Sequence, residues 1–315
     1  MRILFTGASS FTGTWMAGEL ARCGHAVTAV YTQSGQSAYE GLRAQRVGRL
    51  LPHISPTWGT QFGDDPFLQL CREQGPWDVL CHHAADVRDY KSPQFDWQRA
   101  LANNTRRLSE VLAAFRAGGG KAVVLTGSYF EADEGTGSPP LRAFSAYGLS
   151  KTLTSQAFRF ECDRFGLTLG KYVVPNPVGP LEEPRFVSYL ADCWKRGAPA
   201  VVQTPDYIRD HLPVYRLATD YAAFVVRTAG LPAGAFLRRN PSGWVETVGA
   251  FALRVSQHFA PFFEKPCALE CRASSTSPAS EPLARQNTDA CLPGWSAPAE
   301  NVFWSDWAKS YFTAK

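Results

Sequence analysis

The amino-acid sequence predicts an α/β fold, in which a doubly wound parallel sheet is followed by a smaller C-terminal lobe. Short apolar segments typical of β-strands alternate with helical segments through the first half of the chain, and beyond Pro175 this alternation fades while proline becomes frequent. Strands that alternate with helices form parallel sheets with helices on both faces. We therefore expect one domain over residues 1–175 and a second lobe over residues 176–315, with interleaved segments.

The elements of the first domain follow from their hydrophobic periodicity. Residues 2–5 form a compact apolar run, and residues 12–22 place Trp15, Met16 and Leu20 on one helical face. The same pattern predicts strands at 25–31, 77–81, 121–125 and 168–174, and helices at 66–74, 97–116 and 146–165. The Gly-, Pro- and acid-rich residues 131–145 and the Ser/Pro-rich residues 272–282 are expected to be loops.

Composition and charge exclude several classes of protein. Of the 315 residues, 45% are apolar and 19% are charged, which is typical of a packed globular protein. The 32 basic residues nearly balance the 28 acidic ones without a dense Lys/Arg run, so no nucleic-acid partner is expected. The chain lacks a run of about 18 apolar residues, and its apolar start is too short for a signal peptide, so we expect a cytoplasmic protein without a membrane span.

Eight cysteines occur in the chain, and we expect them to be reduced. A disulfide framework is typical of short secreted chains, which this sequence does not resemble. Cys267 and Cys271 are separated by three residues, and no second pair with zinc-binding spacing follows them. No metal site is therefore expected, and these two cysteines have no evident role.

A glycine-rich turn, residues 6–13 (TGASSFTG), joins the first strand to the first helix. Backbone amides at a helix N-terminus bind phosphate, and glycine is needed where a Cβ atom would block the approach. Because this turn follows a strand and opens a helix, it predicts a dinucleotide site in a Rossmann-like domain.

The end of the second strand bears on the choice between NAD and NADP. Residues 31–34 (YTQS) contain no carboxylate for the ribose 2′-hydroxyl of NAD, whereas Arg43, Arg46 and Arg49 follow and could pair with the 2′-phosphate of NADP. This pattern favours NADP over NAD. The alternative is that the three arginines form a solvated helix face.

Tyr147 and Lys151 are four residues apart, which places them on one face of the predicted helix. A nearby ammonium group favours the tyrosinate, so we expect the pKa of Tyr147 to fall below its usual value of about 10. Such a phenol can act as a general acid and base. The pair becomes informative because it follows a glycine turn and a strand that ends with two hydroxyl residues, Thr126 and Ser128.

Together these motifs resemble the extended short-chain dehydrogenase/reductase family, of the nucleotide-sugar epimerase/dehydratase type, over nearly the whole chain. Gly7 and Gly13 match the family's TGxxGxxG turn, whereas Ser10 replaces its middle glycine. The resemblance implies a catalytic set of Tyr147, Lys151 and a hydroxyl at the end of strand five. Counting from the start of that strand favours Ser128, and counting back from residues 129–131, taken as the family's VYG, favours Thr126; we prefer Ser128.

The resemblance also implies the cofactor-binding residues. Residues 62–65 (FGDD) resemble the family's Gly-Asp segment, in which the first Asp contacts adenine, and residues 83–85 (HAA) resemble a segment that lines the cofactor. His82 and His83 themselves are expected to pack at a strand end rather than to catalyse. The implied cofactor contacts are Gly7, Ser9, Ser10, Phe11, Thr12, Gly13, Thr32, Asp64, Ala84, Ala85, Asn104, Tyr147, Lys151 and Pro175.

The later part of the chain resembles the family's substrate-binding segments. Residues 174–180 (VPNPVGP) place Asn176 toward substrate, and residues 207–214 (YIRDHLPV) resemble a segment whose arginine, here Arg209, binds the diphosphate of a nucleotide sugar. Arg185 and Arg285 are further candidates, with surface salt bridges as the alternative, and residues 292–295 (LPGW) resemble the family's late LGW. The implied substrate-binding residues are therefore Ser128, Asn176, Arg185, Arg209 and Arg285.

The reaction implied by the resemblance is epimerisation of a nucleotide-diphosphate sugar through a transient keto-sugar. An NAD(P)H-dependent keto-sugar reductase uses the same residues and is the alternative. A dehydratase is less favoured, because no acidic pair directly follows the hydroxyl of strand five. A cofactor-binding regulator without catalysis and an enzyme for uncharged ketones also stay open. By analogy the family pairs into homodimers through the helices predicted at 97–116 and 146–165.

Overall fold

A computed structural model describes residues 1–137, 141–272, 282–290 and 295–313 of the protein. The helices in these ranges are α1 Phe11–Arg22, α2 Gly41–Leu50, α3 Asp65–Glu73, α4 Trp97–Asn104, α5 Leu108–Ala117, α6 Ala146–Phe165, α7 Phe186–Arg196, α8 Val214–Ala229, α9 Val248–Phe259 and α10 Ala297–Thr313. The strands are β1 Arg2–Thr6, β2 Ala26–Val30, β3 Ser55–Thr57, β4 Val79–His82, β5 Ala122–Ser128, β6 Thr136–Gly137, β7 Thr168–Val174, β8 Asn176–Val178, β9 Ala200–Val202, β10 Ile208–Pro213, β11 Phe236–Arg239, β12 Pro241–Ser242, β13 Trp244–Thr247, β14 Leu269–Cys271, β15 Ala284–Gln286 and β16 Asp289–Ala290.

The largest sheet has seven parallel strands in the order β11-β7-β5-β4-β1-β2-β3. The chain adds β2 and β3 on one side of β1 and then continues with β4 on the other side. The carboxyl ends of β1 and β4 therefore meet at a topological switch point, where α/β sheets bind ligands. The predicted Rossmann-like fold is confirmed, and one of its two edge strands, β11, comes from beyond residue 175.

Helices cover both faces of this sheet. Alternate side chains of β1 point to opposite faces, so Ile3 and Phe5 enter one core with the helices α1 and α8, while Leu4 enters the other core with α3, α5 and α6. Burial of both strand faces explains why the strand segments read as continuous apolar runs.

The prediction of one continuous helix over residues 97–116 is wrong. The helix α4 ends at Asn104 and α5 begins at Leu108, because Arg107 adopts a left-handed backbone conformation with a φ of 47°. The Arg107 guanidinium lies 2.6 Å from Asp65 and 2.6 Å from Glu110. These partners lie outside the apolar helix pattern, so periodicity alone does not reveal the break.

The C-terminal lobe is built around a small sheet in the order β13-β10-β15-β6, with β8 paired to β10. One of its strands, β6, comes from the predicted loop 131–145. The lobe has its own aromatic core, which includes Trp194, Phe259, Trp304 and Trp307. Among the described residues, no helix has the length and apolar character needed to cross a membrane.

Some sequence features fall outside the described residues. These are residues 138–140 of the acidic loop, residues 273–281 of the Ser/Pro-rich stretch, Cys291, and residues 292–294 of the late LPGW segment. The seven described cysteines carry free thiols: Cys23, Cys71, Cys81, Cys162, Cys193, Cys267 and Cys271.

Candidate active site

The glycine-rich turn packs tightly against the end of β4. Gly7 has a φ of +84°, and a Cβ atom there would lie 2.7 Å from the Ala84 nitrogen. A Cβ atom on Gly13 would lie 2.2 Å from the carbonyl oxygen of Gly7. Both glycines are therefore required by the protein's own packing, which holds the N-terminus of α1 at the switch point. The first amides of a helix have no intrahelical partner and can bind phosphate.

Ser10, which replaces the family's middle glycine, caps the N-terminus of α1. Its Oγ atom accepts a hydrogen bond from the Gly13 amide at 3.1 Å and donates one to the Gly7 carbonyl at 2.8 Å. The side chain is thus folded back onto the turn. Ser9 and Thr12 are partly exposed, whereas the Phe11 ring is buried with the aromatic core of the C-terminal lobe, which leaves its backbone as the part that could meet a cofactor.

The arginines proposed for a 2′-phosphate have other positions. Arg46 is buried, donates from Nε to the Leu181 carbonyl at 2.9 Å and pairs with Glu183 at 2.6 Å, so its assignment to NADP is wrong. Arg49 stacks over the Trp15 ring at 4.5 Å. Arg43 is exposed, as is Thr32 at the end of β2. The sequence shows three arginines at similar spacing. It does not reveal that one of them, Arg46, binds the loop before α7.

Asp64 and Asn104 both hold backbone groups of the protein. Asp64 caps α3, and its two carboxylate oxygens accept hydrogen bonds from the Phe67 and Gln61 amides, each at 2.8 Å. Asn104 is buried, and its Oδ1 atom accepts a hydrogen bond from the Asp86 amide at 2.8 Å. Asn104 therefore anchors the segment that follows Ala84 and Ala85.

His82 packs at the strand end as predicted. Its ring lies between Phe62 and Phe158, with centroid distances of 4.1 and 5.1 Å, and its Nδ1 atom lies 3.0 Å from the Thr6 hydroxyl. Burial lowers the pKa of His82 to about 3. The imidazole is therefore neutral and has a packing role.

His83 instead lies among three hydroxyl groups. Its Nε2 atom is 3.0 Å from the Thr12 Oγ1 atom and 3.1 Å from the Ser10 Oγ atom, while its Nδ1 atom is 3.0 Å from the Thr126 Oγ1 atom. The sequence reasoning missed this bridge between the glycine-rich turn and the end of β5. The signal that could have found it is the serine that departs from the family's turn, taken together with the histidine that precedes Ala84.

The structure brings Ser128, Tyr147 and Lys151 together. The helix α6 begins one residue before Tyr147, with Ser145 as its cap, and Ser128 ends β5. The Ser128 side chain lies beside the Tyr147 phenol and acts to lower its pKa. Lys151 lies one turn further along α6, is buried, and donates from Nζ to the Thr126 carbonyl at 2.6 Å.

The pKa of Tyr147 lies above its ordinary value, which contradicts the expected decrease. Burial of the phenol is the largest cause, and Glu131 and Tyr90 add to it, whereas the Ser128 side chain and the charge of Arg185 act in the opposite direction. Burial also lowers the pKa of Lys151. Desolvation therefore outweighs the effect that the spacing of Tyr147 and Lys151 suggested.

Aromatic rings surround Tyr147. The rings of Tyr90, Phe95 and Phe130 lie with their centroids 5.2, 6.1 and 6.1 Å from that of Tyr147. Arg185 stacks over Tyr90 at 5.9 Å. This arrangement places a cation from the C-terminal lobe near the phenol.

A buried ion network lies behind the end of β5. The Nζ atom of Lys171 is 2.6 Å from a carboxylate oxygen of Glu131 and 2.7 Å from one of Glu134. The other Glu134 oxygen accepts a hydrogen bond from Asn240 at 2.7 Å. Both glutamates lie in the segment predicted to be a loop, and nothing in the local sequence pattern indicates a lysine partner on β7.

The other substrate candidates lie around the small sheet. Arg209 and Arg285 are opposite each other on β10 and β15. Arg285 is buried and donates to the carbonyls of Tyr129 and Glu131 at 2.6 and 2.7 Å, so the surface salt-bridge alternative is wrong for it. Its Nη1 atom is buried and has no hydrogen-bond partner within the described residues. Asn176 lies next to the buried Pro175, with its Nδ2 atom 3.0 Å from His211 Nδ1.

Comparison with known proteins bears on the family and the fold. The sequence model of the NAD dependent epimerase/dehydratase family matches residues 3–231. No curated protein matches the sequence.

Solved structures similar to this chain include three nucleotide-sugar enzymes. A UDP-glucuronic acid 4-epimerase from Bacillus cereus, in complex with UDP-glucuronic acid and NAD, is 13% identical with a TM-score of 0.74, over 100% of both chains. A UDP-glucose-4-epimerase from Stenotrophomonas maltophila with bound NAD is 17% identical with a TM-score of 0.71, over 99% of this chain and 97% of that chain. A dTDP-glucose 4,6-dehydratase double mutant from Streptomyces venezuelae with NAD is 16% identical with a TM-score of 0.71, over the same shares. At these identities the similarity shows the fold.

Proposed function

Since the chain belongs to the NAD dependent epimerase/dehydratase family, we propose that it is an NAD-dependent epimerase that acts on a nucleotide-diphosphate sugar through a transient keto-sugar. The observation that carries this proposal is the position of the Ser128 side chain beside the Tyr147 phenol, with Lys151 one helical turn away. These groups lie at the carboxyl end of β5, beside the glycine-rich turn that suits a dinucleotide.

In this proposal Tyr147 exchanges a proton with the reacting sugar hydroxyl, and Ser128 hydrogen-bonds the same oxygen. Bound NAD would accept a hydride from the sugar carbon and return it to the opposite face. Ser128 is the better candidate for the hydroxyl, because the Thr126 hydroxyl is engaged by the His83 ring at 3.0 Å. Lys151 supplies a buried cation one helical turn from Tyr147.

NAD is proposed over NADP. Arg46, the most buried of the three arginines after β2, is committed to Leu181 and Glu183 and cannot serve a 2′-phosphate in this position. The similar epimerases named above hold NAD. The proposed cofactor contacts are the amides of residues 9–13, with Gly7, Thr32, Asp64, Ala84, Ala85, Asn104 and Pro175 around them.

The proposed substrate anchor is the arginine pair on β10 and β15. Burial lowers the pKa of Arg285, and the positive charge of Arg209 acts in the same direction, while Tyr129 and Glu134 oppose it. Two cations held this close repel each other, and a diphosphate bound between them would relieve that repulsion. Asn176 and Arg185 are proposed contacts for the sugar, since both lie on the segments that follow β7.

A dehydratase is disfavoured by the position of Glu131. This is the acidic residue nearest to Ser128 in the sequence, and its carboxylate binds the Ser128 amide, the Ser155 hydroxyl and Lys171. A carboxylate held by three donors is a poor acid for an elimination.

A keto-sugar reductase is the second candidate, because the raised pKa of Tyr147 favours the protonated phenol. A protonated phenol can donate to the oxygen of a ketone while NADH or NADPH supplies the hydride. The two candidates differ in stoichiometry, since an epimerase regenerates its cofactor and a reductase consumes it.

The test is a panel of UDP-, dTDP-, GDP- and CDP-sugars, screened first for an increase in Tm and then for turnover with NAD. We expect an epimeric product without net formation of NADH, and loss of turnover in Tyr147→Phe with cofactor binding retained. Stoichiometric oxidation of NADH or NADPH with a keto-sugar would support the reductase instead. Undiminished epimerisation by Tyr147→Phe would contradict the role proposed for Tyr147.

A further inference from the structure

His83 joins the two halves of the proposed cofactor crevice. One ring nitrogen faces the hydroxyls of Ser10 and Thr12 on the glycine-rich turn, and the other faces the hydroxyl of Thr126 on β5. Burial lowers the pKa of His83 to about 3, so the ring is neutral and carries one proton. The ring is thus a fixed hydrogen-bonding bridge whose donor and acceptor sides can be assigned.

The hydrogen bonds around Ser10 show which ring nitrogen of His83 is the donor and which is the acceptor. The single hydroxyl proton of Ser10 is donated to the Gly7 carbonyl at 2.8 Å. Toward His83 the Ser10 oxygen can then only accept, so the ring proton lies on Nε2. The same N–H lies within reach of the Thr12 oxygen at 3.0 Å. The unprotonated Nδ1 atom therefore accepts the proton of Thr126.

From this arrangement we propose that His83 is a positioning residue for the nicotinamide cofactor. Its Nε2–H group occupies lone pairs of the Ser10 and Thr12 hydroxyls and leaves the Thr12 proton free to donate to the pyrophosphate. A hydroxyl that turned its lone pairs toward an anion would repel it, and the imidazole prevents this. The inference rests on the proposed use of NAD.

The bridge also accounts for the serine in the turn. Ser10 adds a side chain where the family has a glycine, and His83 together with Gly7 and Gly13 binds its hydroxyl on the protein side. The ring itself lies against the turn, since a Cβ atom on Gly13 would be 2.9 Å from the His83 Cδ2 atom. The serine and the histidine therefore function as a pair.

A double-mutant cycle tests this pairing by measuring the Kd for NAD with isothermal titration calorimetry. We expect His83→Leu to raise the Kd about tenfold in the otherwise unchanged protein, as is typical for the loss of buried hydrogen bonds. In a Ser10→Gly/Thr12→Val background, where the ring has no hydroxyl of the glycine-rich turn to hold, the same change should raise the Kd less than about twofold. Glycine retains most of the capping at position 10.

Two further variants separate positioning from folding. His83→Gln, whose amide can donate to the same hydroxyls, should restore most of the affinity, and His53→Leu, a change at an exposed histidine, should leave the Kd unchanged. Equal effects of His83→Leu in both backgrounds, with Tm preserved, would overturn the inference. Absence of NAD binding by the unmodified protein would instead contradict the proposed function, so the two failures are distinguishable.

Discussion

The Oε1 atom of Glu131 accepts a hydrogen bond from the Ser128 amide at 2.7 Å. A buried carboxylate thus holds the end of the strand that carries the proposed catalytic hydroxyl. Its charge is balanced by Lys171 on the neighbouring strand, at 2.6 Å. Gly127 makes the contact possible, because a Cβ atom there would lie 2.9 Å from the same carboxylate oxygen. The geometry of the proposed site therefore depends on an ion pair that does not itself meet substrate.

Glu131→Gln should change both the pH dependence of turnover and the stability. Glu131 raises the pKa of Tyr147, so neutralising it should lower that pKa and shift the rise of kcat/KM with pH to lower pH. The buried Lys171 would lose one of two anionic partners, which should cost about 3 kcal/mol in the free energy of unfolding. A pH–rate profile and urea denaturation measure the two effects. An unchanged pH profile in a folded variant would show that Glu131 does not act on Tyr147.

Ser128→Ala and Thr126→Val should separate the two candidate hydroxyls. The Ser128 side chain lies beside Tyr147 and acts on its pKa, whereas the Thr126 hydroxyl is 3.0 Å from His83. We expect Ser128→Ala to lower kcat on the order of 100-fold with little effect on the Kd for NAD. Thr126→Val should lower kcat far less and weaken NAD binding through His83. Steady-state kinetics with the sugar found by the panel measure both effects, and the reverse ranking would assign the role to Thr126.

The sequence predicted this site where local rules suffice. The helix α6 spans the predicted residues because Ser145 caps its start and Gly166, with a φ of 61°, ends it. The position of Tyr147 and Lys151 on one face of α6 follows from that helix alone. The partners of these residues lie far away in the chain, as for the pair of Glu131 and Lys171, and no local pattern encodes them.

Hydrogen bonds within the protein engage several of the other predicted side chains. Asp64 and Asn104 match family positions, yet each binds backbone amides of the protein. Arg46 matches the spacing expected for a phosphate ligand but is buried against Leu181 and Glu183. A residue type predicts which bonds a side chain can form, whereas the fold decides which partner is within reach.

Phe160→Glu should reveal whether α6 forms an interface between two copies of the chain. The Phe160 side chain is 64% exposed on this helix, and a large exposed aromatic ring is typical of a surface that binds a partner. A charge there would be buried in the proposed homodimer, so we expect the dimer to dissociate to monomers. Sedimentation velocity measures the change. Glu161→Gln on the next, polar position is the matched control, and an identical dimer in both variants would exclude this face.

Glu182 should make the stability depend on pH. Its carboxyl is buried beside the Tyr311 hydroxyl of α10, at 3.1 Å, and burial raises its pKa to about 8. A carboxyl whose pKa is higher in the folded state binds its proton more tightly there. Its stabilising effect is therefore complete below the unfolded pKa of about 4.5 and is lost as the pH rises toward 8.

We therefore expect the free energy of unfolding to fall by about 2 kcal/mol between about pH 6 and pH 7.5 because of Glu182, at about 1.4 kcal/mol per pH unit. Glu182→Gln cannot ionise and should lack this decrease. Its free energy of unfolding should therefore increase relative to that of the unmodified protein as the pH rises. Urea denaturation at the two pH values measures the difference. Parallel pH dependence in both proteins would mean that Glu182 is ionised in the folded state, with Arg185 as its compensating charge.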